Sequence, residues 1–159
     1  MVTNEANECL KISEGEGQNE YLVTRHNQFS TPVNVINVYS EQESRTGANV
    51  IRDHWKEVLE EIIKIEAKKE YIILLGDFNK HIGTIINENH EKVSEGGKLI
   101  LDFLNNDDYV LLNSLSDKVT GGPFTRLEPS DPDNNSKKSC LDFIIVSKPL
   151  AKYVDTIKL

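Results

Sequence analysis

Apolar and polar positions alternate along the chain in blocks that predict paired strands with helices between them. Apolar residues at 21–24 and 33–39 flank a turn at Pro32, whose fixed φ interrupts the pattern, and together they predict a β-hairpin. From about residue 49 to residue 69 the apolar side chains recur at spacings of three and four, which predicts an amphipathic helix with Asn49 as its N-cap.

The rest of the chain continues this arrangement and completes one domain. The pattern predicts a second helix over residues 98–106 and strands over residues 71–75, 109–113, 141–147 and 154–159. Residues 1–19 are rich in Glu, Asn and Gly and predict a loose start or a poorly formed edge, so the domain is expected over residues 20–159. Strands and helices in this order predict an α+β layered sandwich.

One apolar run ends in a sequence that carries candidate chemistry. The run at 71–75 predicts a strand buried on both faces, and it stops at Gly76-Asp77-Phe78-Asn79. Gly76 permits a sharp turn of the backbone, so Asp77 and Asn79 would lie at the rim of a sheet. A carboxylate and an amide there can hold a water molecule and a phosphate oxygen together. The alternative is an ordinary Asp/Asn turn after a strand.

Asp142 is the second candidate, because it belongs to another apolar strand. Residues 143–146 are all apolar, which predicts that both faces of this strand are covered and that Asp142 is buried with a partner. The alternative is that alternation puts Asp142 on the wet face of an edge strand. A second carboxylate beside Asp77 would suit phosphoester hydrolysis, in which one group positions water or a metal and the other orients an acid.

Composition limits the classes of function that fit this chain. The net charge of −8 is unusual for a protein that binds nucleic acid, and the acidic excess lies in residues 1–110. A surface that faces phosphate should therefore come from residues 111–159. No apolar run is long enough for a transmembrane helix, and the polar, acidic start does not resemble a targeting segment. Cys9 and Cys140 lack metal-ligand spacing and are expected to stay reduced inside a cell.

Three motifs in this order resemble a known family. Gly76-Asp77-Phe78-Asn79 follows one apolar strand, the sequence Leu141-Asp-Phe-Ile-Ile-Val-Ser147 comes some 65 positions later, and Val35-Ile-Asn-Val-Tyr39 lies some 38 positions earlier. Together they resemble the endonuclease/exonuclease/phosphatase superfamily, and within it the apurinic-type endonuclease domain of non-LTR retrotransposon polyproteins. The resemblance covers roughly residues 20–159. It implies part of a four-layer α/β/β/α sandwich of the DNase I-like type.

The resemblance also implies an activity and a set of site residues. The activity is metal-dependent hydrolysis of a DNA phosphodiester, with Mg²⁺ or Mn²⁺ held by Asp77. Asp77 would also position the attacking water, Asn79 would hold that water or the phosphate, Tyr39 would contact the phosphate through its hydroxyl, and Asp142 would orient a catalytic histidine. Thr125 and Asn113 fit the family pattern along the nucleic-acid groove. Arg126 and the Lys137-Lys138 pair are further candidates for backbone contacts, and simple solvated charge is the alternative for the two lysines.

Departures from the family pattern are part of the prediction. Family members carry a strand that ends in a metal-binding Glu and, later, a Ser-Asp-His motif, and neither is recognisable here. The resemblance therefore implies a domain truncated at both ends, with impaired cleavage. A catalytically inactive remnant that acts as a binding module is the alternative, and a phosphatase on the same scaffold is a further one. The expected partners are DNA and the remainder of the polyprotein, without a membrane. The expected location is intracellular, and nuclear if the chain acts on DNA.

Overall fold

Ten strands and four α-helices make up the computed structural model, which describes residues 9–14, 20–83, 93–121, 125–127 and 138–158. The strands are β1 (Cys9–Glu14), β2 (Glu20–His26), β3 (Val33–Tyr39), β4 (Tyr71–Asp77), β5 (Tyr109–Leu111), β6 (Val119–Thr120), β7 (Arg126–Leu127), β8 (Lys138–Ser139), β9 (Asp142–Ser147) and β10 (Ile157–Lys158). The helices are α1 (Glu43–Thr46), α2 (Ala48–Glu66), α3 (Glu95–Leu104) and α4 (Lys148–Ala151), and a 3-10 helix spans Leu112–Ser114.

Six of the strands form one mixed sheet in the order β1-β2-β3-β4-β9-β5. The predicted hairpin is confirmed, because β2 and β3 pair antiparallel along their whole length. α2 then carries the chain over to β4, which lies parallel to β3, and β9 pairs antiparallel with β4. The two strands with candidate carboxylates are therefore direct neighbours.

Residues 9–14 lie at the edge of the sheet, which matches the poorly formed edge that was one of the two alternatives predicted for residues 1–19. Residues 9–14 form the edge strand β1, which pairs antiparallel with β2 and shifts register between Lys11 and Ser13. An irregular edge of this kind has few unbroken backbone hydrogen bonds to offer another strand.

One face of the sheet packs against α2 and α3 and forms the main core. The buried apolar residues of this core are Tyr21, Val23, Ile36, Val38, Trp55, Val58, Ile62, Ile65, Ile72, Leu74, Phe78, Ile82, Ile100, Tyr109, Leu111, Cys140, Phe143 and Ile145. In β3 the residues that face the helices are therefore Ile36 and Val38, while Tyr39 lies on the opposite face.

Both helices differ in detail from their predicted limits. Gly47, not Asn49, precedes α2, and Ile63, an apolar residue within the range of the predicted amphipathic helix, is 62% exposed. Ile63 follows Ile62 by one residue, which turns it about 100° away from the core side. α3 begins at Glu95, three residues before the predicted start. Ser94 is its N-cap, and the Ser94 hydroxyl accepts a hydrogen bond from the Gly97 N–H.

The opposite face of the sheet carries a second, smaller core. Leu112, Val146 and Ile157 are buried there, and side chains of α4 and of the 3-10 helix pack on them. The strand β10 pairs with β6 beside this cluster. A strand was predicted over residues 154–159, and the observed one has only two residues. Among the helices of the described segments, none has the length and apolar character needed to cross a bilayer.

Candidate active site

Tyr39, Asp77 and Asp142 lie side by side across three neighbouring strands. Tyr39 pairs in register with Asp77 between β3 and β4, and Asp77 pairs with Asp142 between β4 and β9. Residues directly opposite each other point to the same face of a sheet, with Cβ atoms about 4.5–5.5 Å apart. Glu20 of β2 continues this row beyond Tyr39. The two predicted carboxylates thus meet where β4 ends and β9 begins, with the Tyr39 phenol beside them.

The backbone before Asp77 fits only a glycine. Gly76 has φ +135°, and a Cβ added to it would lie 2.0 Å from the carbonyl oxygen of Val38. No side chain can occupy that space without moving β3 away from β4. The glycine therefore allows β4 to approach the end of β3 closely, which brings Asp77 level with Tyr39.

Asn79 completes a tight turn that fixes the Asp77 carboxylate. Its backbone N–H donates to Asp77 Oδ1 at 2.9 Å, and its φ of +48° lies in the left-handed region that Asn tolerates. The Asn79 side-chain amide donates to the carbonyl oxygen of Ser40 at 2.8 Å, and the Ser40 N–H donates to the Asp77 carbonyl at 2.9 Å. Asn79 thus ties the end of β3 to the turn after β4.

Negative charge at Asp77 is electrostatically unfavourable in this position. Burial raises the pKa of the Asp77 carboxyl above its ordinary value, and the charge of Asp142 raises it further. The Asn79 N–H and the Lys80 ammonium act in the opposite direction and lower this pKa. A carboxylate with such an environment favours a nearby cation, since a positive charge would offset both effects.

The prediction that Asp142 is buried is wrong. Asp142 is the first residue of β9 and is exposed at the rim, while the apolar residues Phe143 and Ile145 face the main core. Asp142 points to the same face as Asp77, so alternation along the strand exposes it. Its exposure removes the argument that it needs a buried cationic partner, and leaves it accessible to solvent beside Asp77.

Asn113 and Thr125 hold the backbone around Asp142. The Asn113 amide donates to the Asp142 carbonyl oxygen at 3.0 Å, and Asn113 Oδ1 accepts from the Ile144 N–H at 2.8 Å. The Thr125 hydroxyl oxygen accepts from the N–H groups of Leu141 and Asp142 at 3.0 and 3.3 Å. Both side chains therefore contribute to the position of Asp142.

The other predicted contact residues differ in how far the structure describes them. Tyr39 is 46% exposed on the face that carries the carboxylates. Arg126 and Lys138 belong to the paired strands β7 and β8, but their side chains lie outside the described part of the molecule. Lys137 lies outside the described residues altogether.

Lys80 is a residue of the site that the sequence analysis did not single out. Its side chain is only 2% exposed, and its ammonium donates to the carbonyl oxygens of Glu41 at 2.7 Å and Asn79 at 3.4 Å. Burial lowers its pKa to about 8. Buried apolar residues, Phe78 and Ile82, lie two positions away on either side of Lys80, but residues 78–81 form no strand, so no secondary-structure pattern identified the lysine.

The donor set of the site fits a divalent cation held by few protein ligands. Within the described segments no group of three or more His, Cys, Asp or Glu side chains is positioned to hold a metal ion. Asp77 and Asp142 nevertheless offer adjacent carboxylates, and the raised pKa of Asp77 indicates that its charge lacks full compensation. Mg²⁺ commonly binds through one or two carboxylates and completes its shell with water and substrate phosphates.

The sequence matches a family model over most of its length. The model, Exo_endo_phos_2, is described as endonuclease-reverse transcriptase and matches residues 33–158. The chain therefore belongs to this family of the endonuclease/exonuclease/phosphatase superfamily, as its motifs predicted. A search among curated proteins found no match.

Solved structures confirm the α+β, DNase I-like fold. The endonuclease domain of TRAS1, a telomere-specific non-LTR retrotransposon, has a TM-score of 0.55 at 16% identity, covering 83% of this chain and 52% of that one. TDP2 from C. elegans has a TM-score of 0.54 at 14% identity, covering 93% of this chain and 43% of that one. An endonuclease/exonuclease/phosphatase family protein from Bacteroides thetaiotaomicron has a TM-score of 0.53 at 14% identity, covering 90% of this chain and 52% of that one. The chain thus spans about half the length of these structures.

Proposed function

We propose that this chain supplies part of a metal-dependent endonuclease site that hydrolyses DNA phosphodiesters. The observation that supports the proposal most directly is the row of Tyr39, Asp77 and Asp142 across three adjacent strands. The family match and the description of TRAS1 as a retrotransposon endonuclease favour DNA over other phosphoesters. Because the chain spans about half of its structural relatives, we propose that the remaining half of the site comes from the rest of a polyprotein. We further propose a nuclear site of action.

Each residue of the row has a role that its geometry allows. The Asp77 carboxylate, fixed by the Asn79 N–H, would orient the attacking water through a hydrogen bond. The Tyr39 hydroxyl, on the accessible face, would donate to a phosphate oxygen as negative charge accumulates there. Asp142 would orient an acid that protonates the leaving oxygen. Asn113 and Thr125 would keep Asp142 in place through the backbone of β9.

Mg²⁺ would be held mainly by Asp77, with Asp142 as a second oxygen donor, and Mn²⁺ is an alternative. When bound, the ion supplies positive charge that polarises the phosphate and lowers the pKa of a bound water. Its affinity is expected to be low, because only two carboxylates of the described residues are adjacent. The net charge of −8 increases the need for such a cation, since it opposes the approach of DNA.

Plasmid nicking in the presence of Mg²⁺ tests the proposed activity. We expect slow conversion of supercoiled to open-circular DNA by the wild-type chain, and a loss of at least about 100-fold in the Asp77→Ala variant. The matched control is Asp102→Ala, which removes an exposed carboxylate from α3 and should keep wild-type nicking. Nicking that persists unchanged in Asp77→Ala would contradict the proposal.

A binding module without catalysis is the second candidate function. It is favoured by the absence of a third metal-ligand side chain beside Asp77 and Asp142 in the described segments. Under this alternative neither the wild-type chain nor any variant nicks DNA at any Mg²⁺ or Mn²⁺ concentration. A small-molecule phosphatase on the same scaffold predicts instead that phosphate is released from a phosphomonoester while plasmid DNA stays intact.

A further inference from the structure

Lys80 links the two strand ends that carry the proposed site. Its ammonium donates to the carbonyl oxygen of Glu41, two residues after Tyr39, and to that of Asn79, two residues after Asp77. A lysine so fully buried usually pairs directly with a carboxylate, because isolated charge is costly to bury. Here the ammonium donates instead to two backbone carbonyls, one after β3 and one after β4.

The link at Lys80 reinforces two others between the same segments. Asn79 donates through its side chain to the Ser40 carbonyl, and the Ser40 N–H donates to the Asp77 carbonyl. The stem of Lys80 is also confined by α3, since a Cβ added to Gly96 would lie 2.5 Å from Lys80 Cδ. Three hydrogen-bonded links and this close contact leave the ammonium little freedom to move.

Charged groups from several segments act on Lys80. Glu41, Glu43 and Asp77 attract the ammonium and raise its pKa against the larger effect of burial. Glu43 also accepts a hydrogen bond from the Gly96 N–H at 2.5 Å, which joins α1 to the start of α3. His54 of α2 is close enough for the Lys80 charge to act on it, and that charge helps to keep the His54 ring neutral. The ammonium is thus surrounded mainly by acidic groups.

We propose that Lys80 is a positioning residue that locks the segment after Tyr39 against the Asp77–Asn79 turn and so sets the spacing of the phenol and the carboxylate. This inference rests on the proposed nuclease function for its catalytic consequence, but its structural part stands on the hydrogen bonds alone. Lys80 does not contact the reacting groups. It acts through the backbone carbonyls that it binds.

Amide hydrogen exchange of Ser40 measures the lock without any need for activity. In Lys80→Met, which keeps the length and apolar stem of the side chain but loses the donor, we expect the Ser40 N–H to exchange at least about tenfold faster, while core amides of β3 keep their rates. Lys80→Gln retains one donor and should give an intermediate increase of about threefold. Lys56→Met, on the exposed side of α2, is the control and should leave Ser40 unchanged.

Nicking kinetics supply the catalytic part of the test. We expect Lys80→Met to lower kcat about tenfold with KM for plasmid DNA within about twofold, because misplacement of a reacting group slows the chemical step more than it weakens binding. If the wild-type chain does not nick DNA, the proposed function fails and Ser40 exchange still decides the role of Lys80. Unchanged Ser40 exchange in folded Lys80→Met or Lys80→Gln overturns the inference. Failure of both variants to fold, with Lys56→Met folded, also overturns it in favour of a purely structural lysine.

Discussion

At the scale of single residues, Asp77 illustrates a conflict between function and stability. Burial and the neighbouring Asp142 both disfavour its charge, yet the proposed chemistry needs the carboxylate ionised. The folded-state pKa is raised above the ordinary value, so the folded chain loses stability as the pH rises through that range and the acid ionises. Proteins commonly keep such unfavourable groups where they act.

Asp77→Asn should therefore stabilise the chain at neutral pH while it abolishes nicking. The amide oxygen of Asn can still accept from the Asn79 N–H, and the unfavourable charge is gone. We expect the free energy of unfolding at pH 7 to rise by up to about 1 kcal/mol after solvent screening, with no difference below about pH 3.5. Urea denaturation at the two pH values checks this. A variant less stable than wild type at pH 7 would show that the charge is well compensated.

His54 gives the chain a second dependence on pH. It is a buried residue of α2, with its ring against Tyr21, and burial with the nearby Lys80 charge lowers its pKa to about 4. The unfolded chain takes up the proton near pH 6.5, whereas the folded chain does not. The stability from neutral His54 is therefore present above pH 6.5 and is lost as the pH falls towards 4.

The variant His54→Phe should flatten this part of the pH profile. Phenylalanine fills a similar volume and does not titrate. Between pH 6.5 and pH 4 the free energy of unfolding should therefore fall by about 2–3 kcal/mol less in the variant than in the wild type. Thermal or urea unfolding at half-unit pH steps measures the difference. Parallel profiles for the two proteins would mean that His54 takes up its proton in the folded chain as easily as in the unfolded one.

Residue-level expectations had mixed outcomes. The sharp turn predicted at Gly76 is wrong, because β4 continues through Gly76 to Asp77 and the turn comes at Asn79, although the φ of +135° at Gly76 does favour glycine. The exposure of Asp142 did not follow, because four apolar residues after it masked which side of the strand it occupies. Lys80 was overlooked because a lysine after a turn is usually solvated, whereas here it contacts Glu41, before α1, and Gly96 of α3.

At the scale of elements, the end of β4 decides whether the site exists. β4 runs beside β3 on one side and β9 on the other, and the close approach at Gly76 sets the level of all three strand ends. The three site residues come from three different strands. A change that separates β3 from β4 would therefore disrupt the site and the core together.

Gly76→Ala should test this dependence on close strand packing. The new Cβ would clash with the Val38 carbonyl oxygen, and the backbone there cannot yield without breaking the ladder. We expect a loss of at least about 3 kcal/mol in the free energy of unfolding by urea denaturation, or no folded protein. Gly47→Ala is the matched control, since φ is +82° but nothing lies within 4 Å, and it should cost about 1–2 kcal/mol. Equal costs for the two variants would contradict the close approach.

Element boundaries were predicted well where periodicity is strong and poorly where glycines occur. The apolar spacing gave α2 to within a few residues at each end. The start of α3 was missed because Gly96 and Gly97 usually end helices, yet here their lack of a side chain admits the neighbouring backbone. A Cβ on Gly97 would lie 2.0 Å from the His81 carbonyl oxygen, so tertiary contact outweighs helix propensity at this position.

At the scale of the whole molecule, the described residues form two cores of unequal size on the two faces of the sheet. The larger core lies between one face and the helices α2 and α3, and the smaller core lies on the opposite face, where residues of α4 and the 3-10 helix pack. The carboxylates lie on this second face, at its rim. The α+β class followed from the order of elements in the sequence, but the pairing of β4 with β9 joins residues some 65 positions apart. Periodicity contains no information on such a pairing, and only the family resemblance indicated it.

The most direct measurement of the central claim is a double-mutant cycle on plasmid nicking with Asp77→Asn and Asp142→Asn. The claim is that both carboxylates act in one site, so each single variant should lose most of the nicking activity. The nicking rate of the double variant should then lie within about threefold of the rate of the less active single variant. Losses that multiply, or an Asp142→Asn variant that nicks like wild type, would show that the two residues do not work together and would contradict the account.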